Sequence, residues 1–474
     1  MYSWVRDLPI IDWHNHLDMR MLAEDKPLGS LYEVWVKTDP YKHRAMRICG
    51  EPERVITGDA SEDEKWAAWK RTLPKLVGNP LFAWAKMELA WLNVFNAESQ
   101  SRREVDWWRN IENVSLAEWT PSKMLKKFGV EYLSPCVGAE CISLFTKGNC
   151  HNCSEITNTN STRSTRSTRL NPVQENSADS ASLREIKIAP SLRMNAGDEI
   201  SVEALEKFDS AGCRVVDISV DDASRLSTFN SQLSTVAAYA AAHGWTMLLH
   251  LGALRETSSR LRAAAGPAGG FAGMRAPVDP AAVAAFLNLL EAAPNVFSRK
   301  EHKDRKEISE PLRLCVKNSL PRTILLSLNP EAHASLAVLA GSFAEDGAPG
   351  KVQLGPAWWW CDHEEGIRDV LEKNAAYGVL STFVGMTTDS RSLLSFVRHD
   401  YFRRILCKWV AEKVASGSFP DDEALLRPLL ENVCYRNAKK FFNTETQRHK
   451  EGLFTNKIPP RALRLRASVL KQFC

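Results

Sequence analysis

Short apolar runs rich in β-branched residues recur along the chain, and most lead into polar residues. Eight read as strands: Leu8–Trp13, Val130–Cys136, Ile186–Pro190, Cys213–Val220, Thr246–His250, Thr323–Leu328, Lys351–Leu354 and Leu380–Met386. Alanine- and leucine-rich stretches of helical character fill most intervals, among them Ser201–Ala211, Thr228–His243, Asp279–Ala293, Pro330–Phe343 and His363–Gly378. This alternation predicts an α/β chain folded as a (β/α)8 TIM barrel. An open doubly wound sheet would call for a glycine-rich phosphate loop after an early strand, and the sequence has none.

In a barrel of this kind the chemistry sits where strands end. The first run is followed by His14-Asn15-His16. Residues two apart on a strand point to one side, and two imidazoles on one side can share a metal ion. The third run leads to Arg193, the fourth carries Asp217, the fifth ends in His250 and the sixth reaches Asn329. The seventh leads to Trp358, Trp359, Trp360 and Asp362, and the eighth to Thr388-Asp389-Ser390-Arg391. In a closed barrel the last strand lies beside the first. His14, His16 and Asp389 are therefore the expected ligands of one divalent metal ion, with positions open for water or substrate.

Residues 18–120 are too many for a plain βα connection and read as a large helical insertion after strand 1. Trp35, Trp66, Trp69, Trp84, Trp91, Trp107 and Trp108 punctuate it, and burial is their expected work. Within it, Tyr41-Lys-His-Arg-Ala-Met-Arg47 is polar and basic, suited to an anionic substrate at the barrel mouth. Segments 148–182, with three Ser-Thr-Arg copies at Ser161–Arg169, and 298–312 read as low-complexity insertions. The barrel spans 1–442, and 443–474 is a basic extension.

Composition mainly excludes. The chain has 474 residues, 44% hydrophobic and 25% charged, which is globular. The net charge of +4 is concentrated after Phe442, so the body is near neutral and no nucleic-acid partner is expected. No apolar run reaches 18 residues, so no membrane span is expected. Met1-Tyr-Ser-Trp-Val-Arg-Asp7 lacks signal-peptide character. Eleven scattered cysteines then read as reduced thiols in a cytoplasmic protein. Cys150-His-Asn-Cys153 has the gap of a zinc knuckle but no second pair to complete one. A homo-oligomer is left open.

Several stretches resemble the uronate (glucuronate) isomerases of the amidohydrolase superfamily. They include Asp12-Trp-His-Asn-His-Leu17, Tyr41–Arg47, Thr57-Gly-Asp-Ala60 and Gly78-Asn-Pro-Leu81. Further along come His250-Leu-Gly-Ala-Leu-Arg255, Gly341-Ser-Phe343, Ala357-Trp-Trp-Trp360, Phe383–Ser392, Arg398–Cys407 and Asn437-Ala438. The resemblance covers residues 8–145 and 185–442. It implies a distorted barrel and one divalent metal, usually zinc. It also implies a small-molecule hexuronate substrate: D-glucuronate exchanging with D-fructuronate, and D-galacturonate with D-tagaturonate. Carried over, His14, His16 and Asp389 are metal ligands, and Asp389, Tyr41 and Arg391 are catalytic. Tyr41 meets the C1 carbonyl and Arg391 the C2 and C3 hydroxyls. Arg193, Asp217, His250 and Trp359 complete the substrate shell.

The chain departs from the family in places. Ser134-Pro-Cys136 stands where the family has Thr-Asp-Asp-Pro, and Pro40 where it has a histidine. Asp217 alone survives of a Ser-Asp-His, and Phe271-Ala272 replaces a Phe-Asp pair. Two alternatives stand beside the isomerase: a metal-dependent hydrolase using His250, and a catalytically impaired homologue serving as a scaffold.

Overall fold

A computed structural model describes residues 1–92, 111, 114–139, 186–195, 197–223, 226, 230–266, 269–293 and 320–442. The segments 148–182, 298–312 and 443–474, with Cys150, Cys153, Trp107 and Trp108, lie outside the described residues.

Among the described residues ten strands are formed: β1 (Ile10–Asn15), β2 (Val130–Gly138), β3 (Lys187–Ile188), β4 (Ser191–Asn195), β5 (Val215–Val220), β6 (Thr246–Leu251), β7 (Ala253–Leu254), β8 (Gly273–Met274), β9 (Arg322–Ser327) and β10 (Val352–Leu354). The main sheet runs β1-β2-β4-β5-β6-β9-β10 with every pair parallel, and β3 adds to β2. β7 and β8 form a separate antiparallel pair. β1, β5 and β6 are buried at every position. Parallel strands covered on both faces need such unbroken burial, which is why they read as continuous apolar runs.

The eighth expected strand, Leu380–Met386, is not one. Leu380–Thr382 is a 3-10 turn, and the chain then runs irregularly to Asp389. Gly385 breaks the run with φ +72°, and a Cβ there would strike the Val433 carbonyl oxygen. Separate hydrogen bonds replace the ladder. Val384 N donates to the Gln353 side chain of β10 at 3.0 Å. On the other side Asp389 N donates to His14 O at 3.0 Å, and His16 N to Ser390 O at 2.8 Å. The result is a distorted (β/α)8 barrel in which the last stave is held largely by side chains and single contacts.

One apolar core lies between the sheet and the helices Val202–Ser210, Asn230–His243, Pro280–Ala292 and His333–Gly341. A second joins the helices inserted after β1 to Leu393, Leu394 and Phe396, just beyond Asp389. Trp35, Trp69 and Trp84 are buried there. Inside the barrel, Ile11, Trp13, Tyr132, Val215, Leu248 and Ile324 fill the space. Phe442 closes the floor, its ring 4.8 Å from that of Trp13. No described helix is long and apolar enough to cross a membrane.

Phe442→Ala should open a cavity under Trp13. A loss of about 3–5 kcal/mol is expected for a fully buried Phe. Urea unfolding measures it, and a change below about 1 kcal/mol would mean the floor is not a packing element.

Candidate metal and substrate site

β1 carries Asp12 and His14, with a register irregularity between Asp12 and Asn15, and His16 follows just past its end. The Nε2 atoms of His14 and His16 each lie 3.1 Å from the same oxygen, Asp389 Oδ1. The other oxygen, Oδ2, accepts from Trp358 Nε1 at 2.9 Å. Burial alone would raise the Asp389 carboxyl, but His14 and His16 hold it well below the usual carboxylate range. Asp389 has φ +48°, a left-handed conformation that a non-glycine residue keeps only when its neighbours impose it.

Asp12 imposes it. Its carboxylate is fully buried. It accepts from Thr387 Oγ1 at 2.6 Å, Thr388 N at 2.7 Å and Thr388 Oγ1 at 2.7 Å. Thr387 Oγ1 in turn accepts from the His14 amide at 2.9 Å. The residues that aim Asp389 are thus tied to the strand that carries His14.

A second group spans adjacent strands. Arg193 on β4 pairs in register with Asp217 on β5, and His250 stands on β6. Asp217 is fully buried and accepts from the Arg193 guanidinium and from His250 Nδ1, the latter at 2.5 Å. Burial opposes its charge, yet Arg193 and His250 keep it well below the usual carboxylate range. Burial also drives His250 down to about 4 despite the pull of Asp217, leaving a neutral imidazole near pH 7. Cys136 on β2 places its Sγ 3.1 Å from His14 Nδ1 and 3.5 Å from Asp217 Oδ2.

Tyr41 comes from the helical insertion. Its helix, Pro40–Ile48, is capped by Asp39, which accepts from Tyr41 N at 2.9 Å and Lys42 N at 3.2 Å. Pro40 takes the first helical position, where a missing N–H costs nothing. The loop before β8 braces this helix: Arg47 donates to Gly269 O, and Gly270, at φ +79°, passes so near the Pro40 carbonyl that no Cβ fits. The Tyr41 hydroxyl donates to Asp362 Oδ2 at 2.9 Å. Arg398 reaches the same oxygen at 3.0 Å and Thr388 O at 2.9 Å. Burial and Asp362 raise the Tyr41 hydroxyl well above its ordinary range, and burial also raises Asp362.

His14, His250, Trp358, Trp359, Asp362 and Asp389 share one cleft at the carboxyl ends of the strands, enclosing about 270 Å³ with solvent included. Of the expected residues, His14, His16 and Asp389 converge, and so do Arg193, Asp217 and His250. Tyr41 joins the cleft through Asp362. Trp359 lines it, its ring 5.0 Å from that of Trp358. Arg391 lies two residues past Asp389 with an exposed side chain. Sequence reasoning assigned no role to Asp12, Cys136, Trp358 or Arg398, and saw Asp362 only as a residue near a strand end.

Fold and donor set define the class: a parallel α/β barrel enzyme with a His-x-His and an aspartate grouped at the carboxyl ends of its strands as candidate metal ligands. The family follows from comparison. A family model described as glucuronate isomerase matches residues 1–239 and 298–442. The uronate isomerase of Bacillus licheniformis is 31% identical, covering 94% of this chain and 95% of that protein. That of Marinomonas sp. is 32% identical, covering 93% and 95%. Crystal structures of a uronate isomerase from Thermotoga maritima and a glucuronate isomerase from Caulobacter crescentus share the fold, each with a TM-score of 0.70. Their identities are 24%, covering 93% of this chain and 96% of that one, and 19%, covering 96% and 95%. The chain belongs to the glucuronate isomerase family.

Asp12→Ala would leave the Thr388 amide and hydroxyl donors buried and unpaired. A loss of about 2–5 kcal/mol is expected, since each such group costs about 1–3 kcal/mol. Denaturant unfolding reads it; wild-type stability would show that Asp12 does not hold the turn.

Proposed function

We propose that this protein is a metal-dependent aldose–ketose isomerase of hexuronates. It would interconvert D-glucuronate with D-fructuronate and D-galacturonate with D-tagaturonate, acting in the cytoplasm, where its thiols stay reduced. The observation that carries the reading is the convergence of His14 Nε2 and His16 Nε2 on one Asp389 oxygen, 3.1 Å each. Two nitrogens and a carboxylate oxygen suit zinc, whose bonds of about 2.0–2.2 Å place neighbouring donors a little over 3 Å apart. His14, His16 and Asp389 would hold the ion. When bound, it supplies Lewis acidity that orients and polarises the oxygens of the sugar acid.

The remaining chemistry falls to the chain. Converting an aldose into a ketose moves the C2 proton to C1 and the O2 proton to O1, through an enediol. In this reading Asp389 takes part in removing the C2 proton. Tyr41 shares its hydroxyl proton with the C1 oxygen in place of Asp362, to which it donates in the free site. Arg391 contacts the C2 and C3 hydroxyls, and Arg193 and Trp359 bound the sugar. Family membership favours this reading over the hydrolase.

A coupled assay for ketose formation from glucuronate and galacturonate, with and without added zinc, tests the reading. Metal-stripped enzyme should lose activity and regain it with zinc. Asp389→Asn and Tyr41→Phe should each lower kcat about 100-fold or more with the fold retained by circular dichroism. Near-normal turnover in either would remove that residue from the chemistry.

A further inference from the structure

His250 has two ring nitrogens in very different situations. Nδ1 is committed to Asp217 Oδ1 at 2.5 Å. Asp217 also takes the Arg193 guanidinium, so it stands there as a carboxylate and can only accept. The hydrogen of the imidazole must therefore sit on Nδ1, and Nε2 is left as an acceptor. The His250 side chain is fully buried, and its Nε2 has no hydrogen-bond partner among the described residues. The ring is clamped between neighbours, with centroids 4.4 Å from Trp358 and 4.8 Å from His14. It lines the same cleft as Asp389. Nδ1 points into the strand wall, so Nε2 is the edge turned to the cleft.

A buried acceptor without a donor is costly. Neither neighbouring strand supplies one: Ser219 of β5 and Leu326 of β9 stand in register with His250, and no donor of the described residues reaches Nε2. The donor must come from what enters the cleft. A carboxylate oxygen has no hydrogen to give; an alcohol does.

We propose that His250 Nε2 is the acceptor for one hydroxyl of the bound sugar and makes the site selective for a hydroxyl at that carbon, with Arg193 and Asp217 acting as positioning residues that lock the tautomer. This rests on the isomerase reading and names how the sugar is recognised. The contact forms on binding and persists through turnover, so it acts mainly on KM. A sugar lacking that hydroxyl binds with Nε2 buried and unpaired, which should lower kcat/KM about 10- to 100-fold.

The experiment compares zinc-loaded wild type with His250→Phe on D-glucuronate and its monodeoxy analogues. Wild type should reject one analogue by that factor. His250→Phe should raise KM for glucuronate more than it lowers kcat, and should no longer reject that analogue. Unchanged discrimination in His250→Phe overturns the proposal. A second measurement stands whether or not that variant folds. In ¹⁵N-histidine wild type, the His250 ring should show a protonated Nδ1 and a bare Nε2. The Nε2 signal should shift on adding D-glucuronate to zinc-loaded enzyme and stay in place when zinc alone is added to stripped enzyme. A protonated Nε2, or a shift with zinc alone, overturns it. If wild type turns over no hexuronate, the isomerase reading fails separately, and calorimetric binding of the same sugars still tests the hydroxyl contact.

Discussion

The buried carboxylate of Asp12 is the constraint on which the site depends. The barrel lacks a regular eighth strand, so the chain after β10 has no ladder to hold it against β1. Asp12 supplies that attachment with three donors from Thr387 and Thr388. The next residue is Asp389, held in a left-handed turn with its amide on His14 O. Closure of the barrel and the meeting of His14, His16 and Asp389 are thus one event. A site made from the first and last staves exists only when the ring is shut, which couples the metal-type donors to the global fold.

Around this seam the protein buries charges in sets rather than pairs. Arg193, Asp217 and His250 form one set, and Tyr41, Asp362 and Arg398 another. Lys42 sits between Asp39, at 2.5 Å, and Glu88, at 3.8 Å, beneath the Tyr41 helix. An isolated buried charge would be strongly destabilising. In each set the charged group is satisfied by partners from different elements: β4, β5 and β6 in the first, and the insertion, the β10 loop and helix Val397–Ala415 in the second. Arg398 also reaches Thr388 O and lies over the rings of Trp84, at 4.0 Å, and Tyr41, at 5.0 Å. It joins the insertion to the seam that Asp12 closes. The insertion therefore belongs to the site, although it lies outside the strand–helix repeat.

Much of this was legible in the sequence. Parallel strands covered on both faces leave unbroken apolar runs, so six staves and the His-x-His at the end of the first could be read directly, while the third run, Ile186–Pro190, stops just before the stave itself, Ser191–Asn195. Leu380–Met386 has the composition of a strand but not the geometry. Composition does not report that Gly385 must avoid the Val433 carbonyl, or that a glutamine side chain will stand in for a backbone partner. Asp12 was overlooked because a buried aspartate that holds backbone looks the same in sequence as any other acid beside a histidine. Arg398 lay inside a matched stretch, but only the folded chain shows it bridging Asp362 and Thr388.

The departures from the family fall where the structure gives the replacing residues work of their own. Pro40, where the resemblance implied an imidazole, begins the helix that presents Tyr41, with Asp39 capping it. Ala272 belongs to the loop whose glycines brace that same helix, so what survives there is a backbone fit. Cys136 is the sharpest case. An imidazole that binds a metal through Nε2 needs a partner for Nδ1–H, and that partner affects ligand basicity and metal affinity. Cys136 Sγ, 3.1 Å away, is nearer to His14 Nδ1 than the Asp217 carboxylate at 3.9 Å. A soft, weak acceptor therefore stands beside His14 in a position where a carboxylate would pull harder. His14 and His16 still meet Asp389 at 3.1 Å each. In the proposed metal site, Cys136 would set how strongly the His14 imidazole is held, and with it the strength of that ligand.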